Sequence, residues 1–209
     1  MRSFIAILFI FLSLVSKGQR SQGYLISFVD TSNGNESYGF KTPKGKVVIP
    51  AKYDIVATDK FYTFAFVYDH RGWVGINRQD SVLLKPFIFD NFPDDEREGL
   101  FRFVEDGKMG FANSRGQKII PAHFDFVEPF KKGYAAFNNG GHKEQKGEHW
   151  LWKGGLWGFI DKKGNVVVEP QFSSFITDDK QPLKAKTKDG TILFINNYAQ
   201  VEKLLRNKK

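Results

Sequence analysis

Short apolar runs and polar, glycine-bearing breaks alternate along most of the chain, and the runs are of two kinds. In the first, Tyr38, Phe40 and Thr42 fall on one side of an extended chain and Gly39 and Lys41 on the other, the period-two pattern of a half-buried strand. In the second, Val47-Val48-Ile49, Ile119-Ile120 and Val166-Val167-Val168 are continuous and β-branched, suited to strands and disfavoured in helices. Between the two kinds stand Thr42-Pro43-Lys44-Gly45, Asn113-Ser114-Arg115-Gly116 and Asp161-Lys162-Lys163-Gly164. Each has a polar first residue and a glycine where a positive φ is needed, which is hairpin-turn chemistry. The pattern predicts strand-turn-strand hairpins, and glycine and proline recur too often for long helices.

These hairpins repeat. YGFKTPKGKVVIPAKYD from Tyr38, VGINRQDSVLLKPFIFD from Val74, MGFANSRGQKIIPAHFD from Met109 and WGFIDKKGNVVVEPQFS from Trp157 share one register. Their common glycines are Gly39, Gly75, Gly110 and Gly158, spaced 36, 35 and 48 residues apart, the excess falling in an insertion over 138–155. Pro50, Pro86 and Pro121 recur eleven residues after the glycine, and Pro170 is shifted by one. Lacking an N–H for the ladder, each proline is expected to end its strand or lie on an edge. An aromatic and an aspartate follow at Tyr53-Asp54, Phe89-Asp90 and Phe124-Asp125, with Phe172-Ser173 in the fourth copy. The carboxylates are expected to accept nearby backbone N–H groups in a turn.

A looser apolar block follows each unit, at Thr63–Val67, Gly99–Val104, Gly133–Phe137 and Pro182–Thr187, and Gly23–Phe28 carries a copy ahead of the first. The units therefore lie near 38–67, 74–104, 109–137 and 157–187, with half-units at 23–29 and 191–200. A repeat of this length cannot bury its apolar face alone, so neighbours must stack.

The run Trp157-Gly158-Phe159-Ile160-Asp161, the turn ending at Gly164, the Val166–Val168 strand and Pro170-Gln171-Phe172 resemble the WG-containing (KWG) β-repeat of bacterial proteins. Tyr38, Val74 and Met109 occupy the slot of the family tryptophan, which only Trp157 keeps. The resemblance runs from Gly23 to about Gln200. It implies a β-rich repeat with a binding or scaffolding role and no established catalysis.

The expected fold is all-β: a tandem repeat of three-stranded hairpin units, each about 35 residues long, in an open curved stack. A small β-propeller is the alternative, although its blades commonly take four strands and roughly 40–45 residues. One repeat domain is expected over 19–209.

The first residues read differently. Met1 and Arg2 precede the apolar run Phe4–Val15, followed by Ser16, Lys17 and Gly18. This is the pattern of a secretory signal peptide over 1–18, cut before Gln19. This run of twelve residues, apolar apart from Ser13, is short of the roughly 20 a spanning helix needs, so no stable membrane span is expected after cleavage. The chain has 31 basic and 23 acidic residues, a formal charge of +8, and no cysteine. Disulfides, thiolate metal sites and cysteine nucleophiles are excluded, and export without disulfides suits a Gram-negative periplasm or surface.

Candidate chemistry is sparse. The four histidines occupy no repeated slot and show no zinc-ligand spacing, and the glycine pairs Gly140-Gly141 and Gly154-Gly155 read as hinges of an extended hairpin. The acidic run Asp94–Glu98 reads as a solvated loop. Neither a cofactor nor a metal is expected. The insertion is the most suggestive stretch: Trp150, Trp152 and Trp157 lie within eight residues, beside Lys153. Trp150 and Trp152 should share one side of a strand, where rings stack on sugars and lysines meet anions. The competing reading is that these rings anchor the insertion to the repeats.

The sequence is thus read as an exported, non-enzymatic binding or scaffolding protein of the bacterial envelope, with an envelope protein or polysaccharide as partner and no nucleic acid. One alternative is carbohydrate or anionic-polysaccharide binding through Trp150 and Trp152. Another is a hydrolase using Glu144, Glu148 and Asp161.

Overall fold

The computed structural model describes residues 23–32, 34–176 and 183–195. The expected signal peptide helix over 1–18 and the second half of the half-unit at 191–200 lie outside them. The described residues form nineteen strands and no helix, so the fold is all-β as the pattern predicted. No helix among them is long and apolar enough to cross a membrane.

One rule of assembly recurs. The loose block, the glycine strand and the β-branched strand of a unit run as an antiparallel meander. The first meander is β1 (Leu25–Asp30), β2 (Ser37–Lys41) and β3 (Val47–Tyr53). After Asp54 the chain leaves this sheet as β4 (Ile55–Val56). Beyond β5 (Lys60–Phe61) it builds the second meander, β6 (Phe64–Asp69), β7 (Gly72–Asn77) and β8 (Val82–Pro86), with β4 paired to β6. A two-stranded hairpin, β9 (Ile88–Phe89) and β10 (Phe92–Pro93), precedes the third meander of β11 (Leu100–Glu105), β12 (Lys108–Asn113) and β13 (Lys118–Phe124). Beyond Asp125 the fourth comprises β14 (Phe126–Val127), β15 (Tyr134–Lys146), β16 (His149–Asp161) and β17 (Val166–Ile176). Then β18 (Leu183–Thr187) and β19 (Ile192–Ile195) extend that sheet.

The end of each third strand is handed to the next loose block. The pairs are β4 with β6, β8 with β11, β14 with β15, and β17 with β18. In the first sheet β5 takes this place beside β1. This corrects the expected grouping: the loose block is the first strand of the following meander, and the stretch at 23–29 completes the first sheet.

The aromatic-aspartate pair marks two of the crossings, since the ladder breaks at Asp54 and Asp125. At Phe172-Ser173 the strand continues as β17 with only a register shift. The expected local turn bond is not what Asp125 makes: it accepts from Lys108 Nζ and from the more distant Gly140 N–H.

Neighbouring sheets exclude water together. One core joins Leu25, Phe40, Ile49 and Phe61 of the first sheet to Val67, Val74 and Ile76 of the second. Phe64 and Leu84 meet Phe101 and Phe103, while Phe111, Ile120 and Phe124 meet Phe137, Trp157 and Phe159. Hairpin turns also rest on the preceding unit. Gly116 lies so close to Phe64 and Leu83 that a side chain would strike them, and Gly164 abuts Ile120. Asp80 accepts hydrogen bonds from Tyr53 Oη and Lys52 Nζ; burial, aided by this carboxylate, pushes the Tyr53 phenol far above its ordinary range.

The shared glycines have a common cause in three units of four. Between Phe40↔Ile49 and Tyr38↔Tyr53, β2 advances two residues while β3 advances four, and the same bulge occurs at Phe111↔Ile120 with Met109↔Phe124 and at Phe159↔Val168 with Trp157↔Phe172. The bulged backbone closes on the glycine. A Cβ on Gly39 or Gly158 would stand 2.5 Å from the carbonyl oxygen of Ile49 or Val168, and one on Gly110 would strike that of Ile120. Gly75 differs, because it pairs directly with Leu84 and its missing Cβ makes room for the ring of Phe64.

The expectation for the prolines holds at Pro50 and Pro121, which lie on the edge strands β3 and β13, and at Pro86, which ends β8. Pro170 departs from it, lying in β17 between β16 and β18; like Pro50 and Pro121 it sits at a bulge, where no ladder donor is required.

Candidate binding site

The fourth meander is distinguished by length. β15 and β16 have 13 residues each and pair from Tyr134↔Asp161 to Lys146↔His149, so the insertion at 138–155 is a continuation of the ladder. Gly140, Gly154 and Gly155 have φ of 82°, 73° and 63°, a left-handed conformation that favours glycine, and they let the hairpin bend at one level. Asn138, fully buried, fixes that bend. Its Oδ1 accepts from Trp152 Nε1 at 2.8 Å and from the Gly141 N–H at 3.0 Å, and its Nδ2 donates to the Gly154 carbonyl at 3.2 Å. Gly141 and Gly155 must lack side chains because a Cβ on either would run into Asn138 Oδ1.

The bend lays the tryptophans onto the repeats. Trp152 stacks on Phe126 with centroids 5.0 Å apart, and Trp150 meets Phe126 and Phe87 edge-on at 5.7 and 6.1 Å. Lys143 Nζ lies 4.6 Å from the Trp150 ring centre. Trp157 is 6% exposed and packed against Phe126 and Phe175. It is therefore a core residue, not presented to a ligand. Lys153 pairs with Glu144 at 2.9 Å. Of the four residues singled out for ligand binding, Trp150 and Trp152 are half-buried and Lys153 is exposed. Trp150 and Trp152 serve here as anchors of the hairpin.

Beneath these rings is a buried ion pair that the sequence did not reveal. Arg102 on β11 donates from Nε and Nη2 to the two oxygens of Asp94, both at 2.7 Å, and from Nη1 to the Val127 carbonyl at 3.0 Å. Its guanidinium carbon lies 4.3 Å from the Phe87 ring centre. Arg102 and Asp94 are 4% and 8% exposed, so Asp94 departs from the solvated loop expected for the acidic run. Fork-to-fork geometry and a stacked ring are what allow arginine to be buried there. Glu128 Oε2 is 4.0 Å from Arg102 Nη1, and burial raises its carboxyl above the ordinary range.

Two of the three carboxylates considered for hydrolysis are used elsewhere, and Glu148 is exposed. Glu144 belongs to the pair with Lys153, and Asp161 caps a hairpin turn by accepting from the N–H groups of Lys163 and Asn165 at 2.8 and 2.9 Å. Among the described residues no group of three or more His, Asp or Glu converges on a common metal position.

Comparison with known families agrees with this geometry. Residues 38–58, 109–141 and 157–178 match the WG containing repeat, and these three segments are WG-containing repeats. Each begins at the strand whose glycine faces a bulge. The unit of Gly75, which has no such bulge, falls outside the matched residues. No curated protein matches the chain.

Proposed function

We propose that this chain is an exported, non-enzymatic binding or scaffolding module of the bacterial cell envelope. The observation that carries the reading is the handing of each third strand to the next meander, which joins WG-type units through shared cores into a continuous surface. Such surfaces suit extended partners, protein or polysaccharide. We read the row as open and curved: the described strands of the first sheet, β1 to β3 and β5, share no ladder with those of the last, β14 to β19.

The reading makes no use of nucleic acid or a cofactor. The occupied faces of Trp150 and Trp152 favour anchoring over carbohydrate capture, and the engaged Glu144 and Asp161 favour scaffold over hydrolase.

The test is expression of the full chain in a Gram-negative host, followed by osmotic-shock fractionation, intact-mass measurement and chemical cross-linking in whole cells. The expected result is release with the periplasmic fraction, an N-terminus at Gln19 and cross-links to envelope components. Cytoplasmic retention with Met1 in place would contradict it.

A further inference from the structure

The second unit departs from the others at a defined place. Its third strand stays in the sheet to pair with β11, and the chain then turns outward as the hairpin β9–β10, which pairs with no other strand among the described residues. Asp90 and Asn91, at the two central turn positions, have φ of 51° and 73°, the backbone of a two-residue type I′ turn. They bring Phe89 and Phe92 to the tip, where these rings are 64% and 55% exposed beside Ile88 at 38%. Ile55 and Tyr68, cross-strand partners on β4 and β6, extend the apolar surface at 42% and 36%.

The tip is exposed and also held in place. Trp73 Nε1 donates to the Asn91 carbonyl at 2.9 Å, and the Trp73 ring meets Phe92 and Tyr68 at 5.5 and 5.4 Å. At the base, the Asp94 N–H donates to the Phe87 carbonyl at 3.0 Å while its side chain grips Arg102. A rigid aromatic pair in water gains nothing for the fold, and contiguous exposed apolar surface of this kind marks interaction sites.

The local charge says what fits. Asp90 at the turn and Asp54 beside Ile55 are exposed, as are Asp95 and Glu96, which follow Asp94 at the hairpin base, on a chain whose formal charge is +8. Arg71 is taken up by Asp69, and Arg97 lies 3.9 Å from Asp95. We propose that the Phe89–Phe92 hairpin tip is a docking surface for a polypeptide segment that alternates basic and large apolar side chains. The rings receive the apolar groups and the acidic rim receives the cations, an arrangement that confers selectivity through charge. Carboxylates at the tip disfavour an anionic membrane. This inference rests on the reading of the chain as a binding module and adds a surface and a partner chemistry to it.

The probe is a fluorescein-labelled dodecapeptide of alternating lysine and leucine, followed by anisotropy against the purified full chain, with Glu–Leu and Lys–Ser dodecapeptides beside it. The expected result is binding of the Lys–Leu peptide alone, weakened about tenfold or more both by Phe89→Ser/Phe92→Ser and by Asp90→Asn/Asp95→Asn/Glu96→Gln. Unchanged circular dichroism shows that each variant is folded, and the charge variant keeps the test valid if the aromatic one is not. Lys–Leu binding that neither variant alters overturns the surface while leaving the module reading intact. Absence of Lys–Leu binding overturns the partner chemistry, as does tip-dependent binding to phosphatidylglycerol vesicles, to a glycan or to a second copy in its place. Failure of the module reading itself appears separately, in the fractionation and cross-linking experiment.

Discussion

Phe103 on β11 lies directly across the ladder from Gly110 on β12, and its ring edge would stand 2.8 Å from a Cβ on that glycine. The same cross-strand pair recurs as Phe28↔Gly39, Phe66↔Gly75 and Phe137↔Gly158. In the last hairpin it becomes Ala185↔Leu193, with the small residue on the other strand. In three of these pairs the glycine also faces the bulged third strand, and at Gly110 and Gly158 aromatic and backbone both press on the space a side chain would take.

Gly110→Ala and Gly158→Ala are therefore expected to destabilise by about 2–4 kcal/mol in urea unfolding, because a ladder carbonyl cannot step aside. Gly75→Ala should cost less, since it meets the far end of the Phe64 ring, which can shift. Equal losses at Gly75 and Gly110 would contradict the bulge as the reason for the glycine.

Asp94→Asn leaves a buried guanidinium without its counter-charge and is expected to cost about 3–5 kcal/mol. The pair Asp94→Leu/Arg102→Leu should recover much of this, because two apolar side chains owe no desolvation. Urea unfolding of the three proteins checks the ordering.

Asn138→Ala removes the acceptor of the Trp152 N–H and two backbone bonds at the bend. A loss of about 1–3 kcal/mol is expected, with a red-shifted tryptophan emission as Trp152 becomes wetter. A stable variant with unchanged emission would show that the hairpin is held by ring packing alone.

The bond from the Lys108 ammonium, with the Gly140 N–H second, holds the Asp125 carboxyl below its ordinary range. A carboxylate lowered in the folded state stabilises fully above its unfolded pKa of about 4, and that stabilisation disappears as the pH falls through the folded value. Asp125→Asn should thus lower Tm by a few degrees at pH 7, for a loss of about 1 kcal/mol. The gap from the wild type should close on acidification. A gap independent of pH would assign the effect to shape.

What the sequence disclosed follows the range of the forces involved. The hairpin turns were legible because their chemistry is local: Thr42, Asn113 and Asp161 each accept from backbone N–H groups within four residues. The alternation around Phe40 gave the glycine strand for the same reason. Strand partnership is non-local, and nothing in Phe64–Val67 says whether it joins the strand before or after it, so the phase of the meanders stayed hidden. Pro50, Pro86 and Pro121 marked edges or a strand end as their chemistry implied, and only Pro170 departed, because a bulge also satisfies proline inside a strand paired on both sides. Arg102 and Asp94 escaped notice because a buried pair has no periodic signature, and Asp94 stands among exposed acids. Of the candidate residues, Trp150 and Trp152 share one side of β16, and the aromatic ground beneath them came from distant Phe87 and Phe126.

The handing of each third strand to the following meander is tested most directly by trapping it. The chain has no cysteine, so Ile55→Cys/Tyr68→Cys, partners across β4 and β6, can be oxidised against the control Lys52→Cys/Tyr68→Cys, which would be joined if the loose block belonged to the meander before it. The account predicts a rapid intramolecular disulfide in the first protein and little in the second, read by mass spectrometry after alkylation. Closure of the control with Ile55→Cys/Tyr68→Cys left reduced would contradict it.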